Sequence, residues 1–186
     1  MSHPLSTGVG HLTHATITTT APLRGASLTV SDFIRGAARR QPMRVRLPDT
    51  LDTPTQLALV QAVQRLARLR KLERGWDGER AEPLTDDACA TAIRLLTALA
   101  LPAPPTAQLV PLEDGGLQIE FHVKANGKTN DVELEIDASG EVHVYILVSD
   151  AEIIMNREVP PPLLPTTMPI IKRHLMRMSR ILQEQA

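Results

Sequence analysis

The hydrophobic positions of this chain change period partway along it. Over residues 54–74, Leu59, Val63, Leu66, Leu69 and Leu72 recur every three or four residues, with Gln61, Gln64, Arg65, Arg68 and Lys71 on the other side. That spacing predicts an amphipathic helix burying one stripe. Thr53-Pro54-Thr55-Gln56 joins a capping-box spacing to proline at the first helical position. Gly75 follows the last periodic residue, where a left-handed conformation closes a helix, and Trp76 then folds back toward the core. A second helix is predicted after Pro83, capped by Thr85, with Asp86 and Asp87 at the positive end of its dipole. Ala88, Ala92, Ile93, Leu95, Leu96 and Leu99 form its buried face, and Leu101-Pro102-Ala103-Pro104-Pro105 stops it.

Beyond the prolines the period becomes two. Leu117, Ile119, Phe121 and Val123 alternate with Gln118, Glu120, His122 and Lys124; Val132, Leu134 and Ile136 alternate with Asp131, Glu133, Glu135 and Asp137; Val142, Val144, Ile146 and Val148 mark a third run, with His143 and Tyr145 between them. Each is a half-buried strand. Asp114-Gly115-Gly116, Asn126-Gly127-Lys128 and Ala138-Ser139-Gly140 are turn-forming separators, so neighbouring strands pair antiparallel, with residues 109–112 as an opening strand. The predicted fold class is α+β: two helices packed on one face of a three- to four-stranded antiparallel β-meander, with a mobile N-terminal arm and a C-terminal helix. Residues 149–158 read equally as a capping box, Ser149-Asp150-Ala151-Glu152, and as an edge strand through Ile153-Ile154-Met155.

Three segments follow: an arm over 1–50, disordered or ordered by a partner; the α+β domain over 51–159; and a proline linker with a basic amphipathic helix over 160–186. The first 30 residues are rich in Thr, Ser, His and Gly and bury too little surface to offset chain ordering. Ser31 caps a short turn through Asp32, Phe33 and Ile34, ahead of Arg39, Arg40, Arg44 and Arg46. The last helix, from about Pro169, sets Ile171, Leu175, Met178 and Leu182 on one side and Lys172, Arg173, Arg177 and Arg180 around the rest.

Composition narrows the compartment. The single cysteine, Cys89, excludes an intrachain disulfide and suits a reducing environment; beside Ala88 and Ala92 it reads as a small buried hydrophobe. With neither a signal-like start nor an apolar run long enough for a bilayer, the expected location is cytoplasmic. The net charge of −1 hides a division: +4 over residues 1–50, zero over 51–107, −8 over 108–158 and +3 over 159–186. An acidic sheet lies between two mildly basic arms.

Gly75-Trp76-Asp77-Gly78, Ala81 and Pro83, then residues 114–122 (DGGLQIEFH) and 133–137 (ELEID) before Gly140, resemble an uncharacterised group of small bacterial and phage proteins. Members share a Gly-Trp-Asp-Gly turn ahead of a helix and a β-meander. The likeness spans roughly residues 66–148 and implies fold, with no activity attached; the chain departs from it at Glu79 and Arg80, where the group often carries an aromatic residue and glycine.

Candidate chemistry is sparse. No phosphate-binding glycine loop, Cys-x-x-Cys pair or serine-elbow pattern occurs, and no catalytic, cofactor or metal residue is assigned. The Gly75, Trp76, Asp77 and Gly78 turn is read as structural. Glu120, His122, Glu133, Glu135, His143 and Tyr145 share the outward sheet face, where imidazole and carboxylates suit zinc or acid–base work; the plainer reading is a solvated sheet surface. His3, His11 and His14 lie in the polar arm and carry no ligand pattern. The C-terminal stripe of Ile171, Leu175, Met178 and Leu182, with Lys172, Arg173 and Arg177, is the partner-binding candidate, and its alternative is packing back on its own domain. The expected function is a non-enzymatic protein-interaction module, such as a phage accessory protein or toxin-neutralising partner, holding another protein or itself through the C-terminal helix and acidic sheet. The alternative is a small nucleic-acid-binding regulator using its basic arms, and an enzyme built on the sheet face ranks last.

Overall fold

The structure, a computed structural model, describes residues 53–102, 105–149 and 152–185, together with the backbone of three short strands ahead of them. Those strands, β1 (Thr16–Thr18), β2 (Ser27–Ser31) and β3 (Met43–Arg46), pair antiparallel in the order β1-β2-β3. Arg44 and Arg46 lie in β3, whereas the turn expected after Ser31, Arg39 and Arg40, and the histidines His3, His11 and His14 fall outside the described residues.

The remainder is α+β, as the periodicities predict, with one strand more than expected. Helix α1 (Thr53–Leu69) and helix α2 (Asp86–Ala98) precede a meander of β4 (Gln108–Pro111), β5 (Leu117–Ala125), β6 (Lys128–Ile136), β7 (Val142–Val148) and β8 (Glu152–Val159), in spatial order β4-β5-β6-β7-β8. A turn of 3-10 helix, Pro161–Leu163, leads into α3 (Leu164–Gln183). The ambiguous stretch before Pro160 is therefore strand: Met155 and Val159 are buried opposite Ile146 and Val142, and an extra residue at Ile154 shifts the register between Ile146 and Leu147.

Alternation sorts the sheet into two faces. Leu117, Ile119, Val132, Leu134, Ile136, Val144 and Ile146 are fully buried in one core cluster with Leu66, Leu95, Ile171 and Leu175 from the helices. All three helices pack against that apolar face, α1 against β4 and α2 and α3 against β5 and β6. Among the described residues of the core, Phe121 is the one aromatic; the rest are aliphatic side chains with Cys89, Met155 and Met178.

Two details depart from the sequence expectations. Helix α1 ends at Leu69, five residues short of 74. The chain tightens there into three-residue bonds from Lys71 N–H to the Arg68 carbonyl and Leu72 N–H to the Leu69 carbonyl. Arg70 turns inward to reach Asp86 at 2.8 Å, and Arg74 pairs with Glu82, so contacts to the start of α2 outweigh further helix propagation. Gly75 takes a left-handed φ of 75°, but inside the loop, with its N–H on the Ala81 carbonyl, and does not close α1. At the other end, α3 begins a turn and a half before Pro169. Pro165 sits in the first turn, where no N–H partner is needed, and the helix tolerates Pro169 one turn further in.

Candidate functional site

The open face of the sheet takes its arrangement from one tight turn. Asn126 and Gly127 both adopt positive φ, 52° and 74°, the two-residue hairpin that glycine permits at its second position. This turn sets Ala125 opposite Lys128 and, counting back, His122 opposite Asp131, Glu120 opposite Glu133 and Gln118 opposite Glu135. The β6–β7 ladder then places Tyr145 beside Glu133 and His143 beside Glu135.

His122 lies between two carboxylates. Its Nδ1 is 2.7 Å from Asp131 Oδ1 and its Nε2 is 3.0 Å from Glu120 Oε2. Glu133 Oε2 accepts a hydrogen bond from Gln118 Nε2 at 3.1 Å. Partial burial disfavours the imidazolium, but hydrogen bonds to Asp131 and then Glu120, with the charges of both, outweigh it and raise the His122 pKa above 6.5. Glu133 is shifted up as well, first by burial and next by the negative charge of Glu120 directly across the strand pair.

Asp131, His122 and Glu133 each offer one ligand atom, and these atoms lie within 4.8 Å of one another, so among the described residues they have the spacing to hold a cation. The hydrogen bonding works against it. Each ring nitrogen of His122 faces a carboxylate, so the protonated ring, donating to both, has no lone pair left for a metal. The cluster presents several carboxylates, partly compensated by His122 when its ring is protonated.

Of the residues expected on this face, Glu120, His122 and Glu133 do converge. Tyr145 and His143 neighbour Glu133 and Glu135 in the ladder without joining the hydrogen-bonded cluster. Asp131, the nearest carboxylate to His122, was absent from the expected set, although the Asn126-Gly127 turn carries the register that pairs them. The Trp76 turn is a local framework. Asp77 Oδ1 accepts the backbone N–H of Glu79 at 2.9 Å and of Ala81 at 3.2 Å, which holds its carboxyl below the ordinary range. Trp76 stays half-buried outside the core cluster, its indole N–H on the Glu82 carbonyl at 3.2 Å.

The C-terminal stripe requires a correction. Ile171, Leu175 and Met178 are buried in the chain's own core and are not available to a partner, because their helix roofs β5 and β6 beside α2. Leu182 is 41% exposed, Lys172 is half-buried, and Arg173 and Arg177 face outward. Partial burial, then the charges of Arg177 and Arg173, lower the pKa of His174 on the same helix. A cavity of about 160 Å³ between α1, the end of α2 and residues 105–107 is lined chiefly by apolar side chains such as Leu59, Ala62, Leu96 and Leu99, with Arg65 its one charged lining residue. Among the described residues, no helix is long and apolar enough to cross a membrane.

No family model, no curated protein and no solved structure matches this chain.

Proposed function

We propose that the chain is a non-enzymatic protein-interaction module whose open sheet face receives a partner with a basic surface. One observation carries this reading: Glu120, Asp131, Glu133 and Glu135 stand together on the face opposite the helices, with His122 bridging two of them. Clustered carboxylates on a rigid sheet repel one another, an arrangement that a cationic partner relieves. Tyr145, Leu147 and exposed Ile153 in the adjoining strands supply apolar contact area beside the charge. A toxin-neutralising protein or a phage accessory protein would use such a face. The alternative, nucleic-acid binding through basic segments, draws on the exposed Arg173, Arg177 and Arg180 of α3, but the same chain presents phosphate with a strongly acidic sheet.

The test uses the tagged full chain and its Glu133→Lys/Glu135→Lys variant as matched baits in extract of the native host. Recovery of a basic protein by the parent chain and its loss with the variant is the expected result. Equal recovery by both baits, or retention of nucleic acid alone at physiological salt, overturns the reading.

A further inference from the structure

Strand β8 closes one side of the five-stranded sheet, and among the described residues no strand pairs with its outer edge. An open edge presents unpaired N–H and C=O groups, and chains that stay apart blunt it with charge, proline or a covering segment. Here the edge carries exposed charges of both signs, Glu152, Arg157 and Glu158, and a bulge, but also adjacent aliphatics: Ile153 is 56% and Ile154 39% exposed.

The bulge at Ile154 decides which residues share a face. Opposite β7, Glu152, Met155, Arg157 and Val159 align with Val148, Ile146, Val144 and Val142 on the helix-bearing side; Ile153, Asn156 and Glu158 align with Leu147, Tyr145 and His143 on the open side. In an uninterrupted strand Glu152 and Arg157 would point to opposite faces. The extra residue brings them to the same one.

We infer that β8 pairs with β8 of a second copy, antiparallel about a twofold axis between Ile154 and Met155, so that two five-stranded sheets become one continuous sheet. In this register Glu152 of each copy faces Arg157 of the other and Ile153 faces Asn156, with faces matched in both pairs, and the two bulges lie at the axis. Other registers fit worse. A slip of one residue sets Glu152 against Asn156 or Glu158 on the wrong face, and a slip of two removes both ion pairs. The strand is thus self-complementary in charge and in facing at one register. This interface shares Ile153 with the partner-binding face but uses none of Glu120, Asp131, Glu133 or Glu135, so reversing Glu152 or Arg157 tests it separately from that face.

Sedimentation velocity of the full chain over a concentration series tests it. The expected result is a concentration-dependent dimer, weakened about tenfold or more by Glu152→Arg or by Arg157→Glu, since each turns two attractions into two repulsions. The Glu152→Arg/Arg157→Glu double variant regains the parent affinity. Both side chains are exposed, and circular dichroism confirms that each variant folds. Should a reversal unfold the chain, Ile153→Lys, a charge placed on the edge, carries the test and is expected to give monomer. A parent chain that stays monomeric, a dimer indifferent to the single reversals or to Ile153→Lys, or a double variant as weak as the singles overturns the inference.

Discussion

His122 shows how neighbours settle the chemistry of a side chain. Its carboxylate partners Asp131 and Glu120 come from two different strands and meet it only in the folded sheet, so its folded pKa lies above the ordinary 6.5. Stabilisation from these contacts is complete below the unfolded value and is lost as the pH rises through the raised folded value. Replacing Asp131 with Asn should therefore destabilise the chain more under mildly acidic than under mildly alkaline conditions, and should lower the His122 midpoint in an NMR titration. Because the ring is partly exposed, the effect is small, about 1 kcal/mol or less. An unchanged midpoint would remove Asp131 as the cause. Gly140 makes a steric case. At φ 86°, a β-carbon there would stand 2.9 Å from Thr91 Oγ1 and 3.2 Å from the Asp87 carbonyl oxygen, where the β6–β7 turn seats on α2. Gly140→Ala should cost about 1–3 kcal/mol in urea denaturation, and a neutral result would mean that the turn yields.

Helix α3 buries its apolar stripe on its own sheet. Its stripe is plain in the sequence, but a stripe states only that something must cover it, and the proline-rich segment before it suggested separation from the domain. In the structure the 3-10 turn at Pro161–Leu163 is a compact corner that returns the helix to the sheet. Leu175→Ala should cost about 2–5 kcal/mol, whereas Arg177→Ala on the exposed side should stay within about 0.5 kcal/mol. If both were neutral, the helix would not be part of the core. The same packing means that deleting residues 160–186 removes a roof and tests stability before it tests binding. Elements with two-sided signals were legible: α2 has its Thr85 cap, with the hydroxyl accepting the Ala88 N–H at 3.1 Å, and a proline stop. Strands β5 to β7 have alternation bounded by turns. The end of α1 was not legible, because it is set by Arg70 meeting Asp86, a contact between elements that periodicity does not report. At the candidate site, alternation put Glu120, His122, Asp131 and Glu133 on one face, and only the hairpin register shows that Asp131 is the residue opposite His122.

At the scale of the molecule, the sheet divides the charge of the described residues. The helices cover one face, and α3 turns Arg173, Arg177 and Arg180 outward on that side, while the carboxylates crowd the opposite face. On the proposed reading a basic partner would be steered toward one side of the molecule, over distances that salt shortens to about 10 Å at 0.1 M. Acid should weaken the attraction in two steps, each traceable to a residue. His122 gains its positive charge first as the pH falls, since its pKa lies above 6.5; Glu133 then loses its negative charge at a higher pH than an isolated glutamate would, since its pKa stands above 4.5. Binding of a lysine-rich peptide, followed by fluorescence anisotropy, should thus weaken from about pH 8 to about pH 5 and again with added salt. His122→Gln should abolish the first step and leave the second. Affinity that ignores pH over this range, or a first step that survives in His122→Gln, would show that the peptide is held somewhere other than the face where Glu120, Asp131 and Glu133 meet.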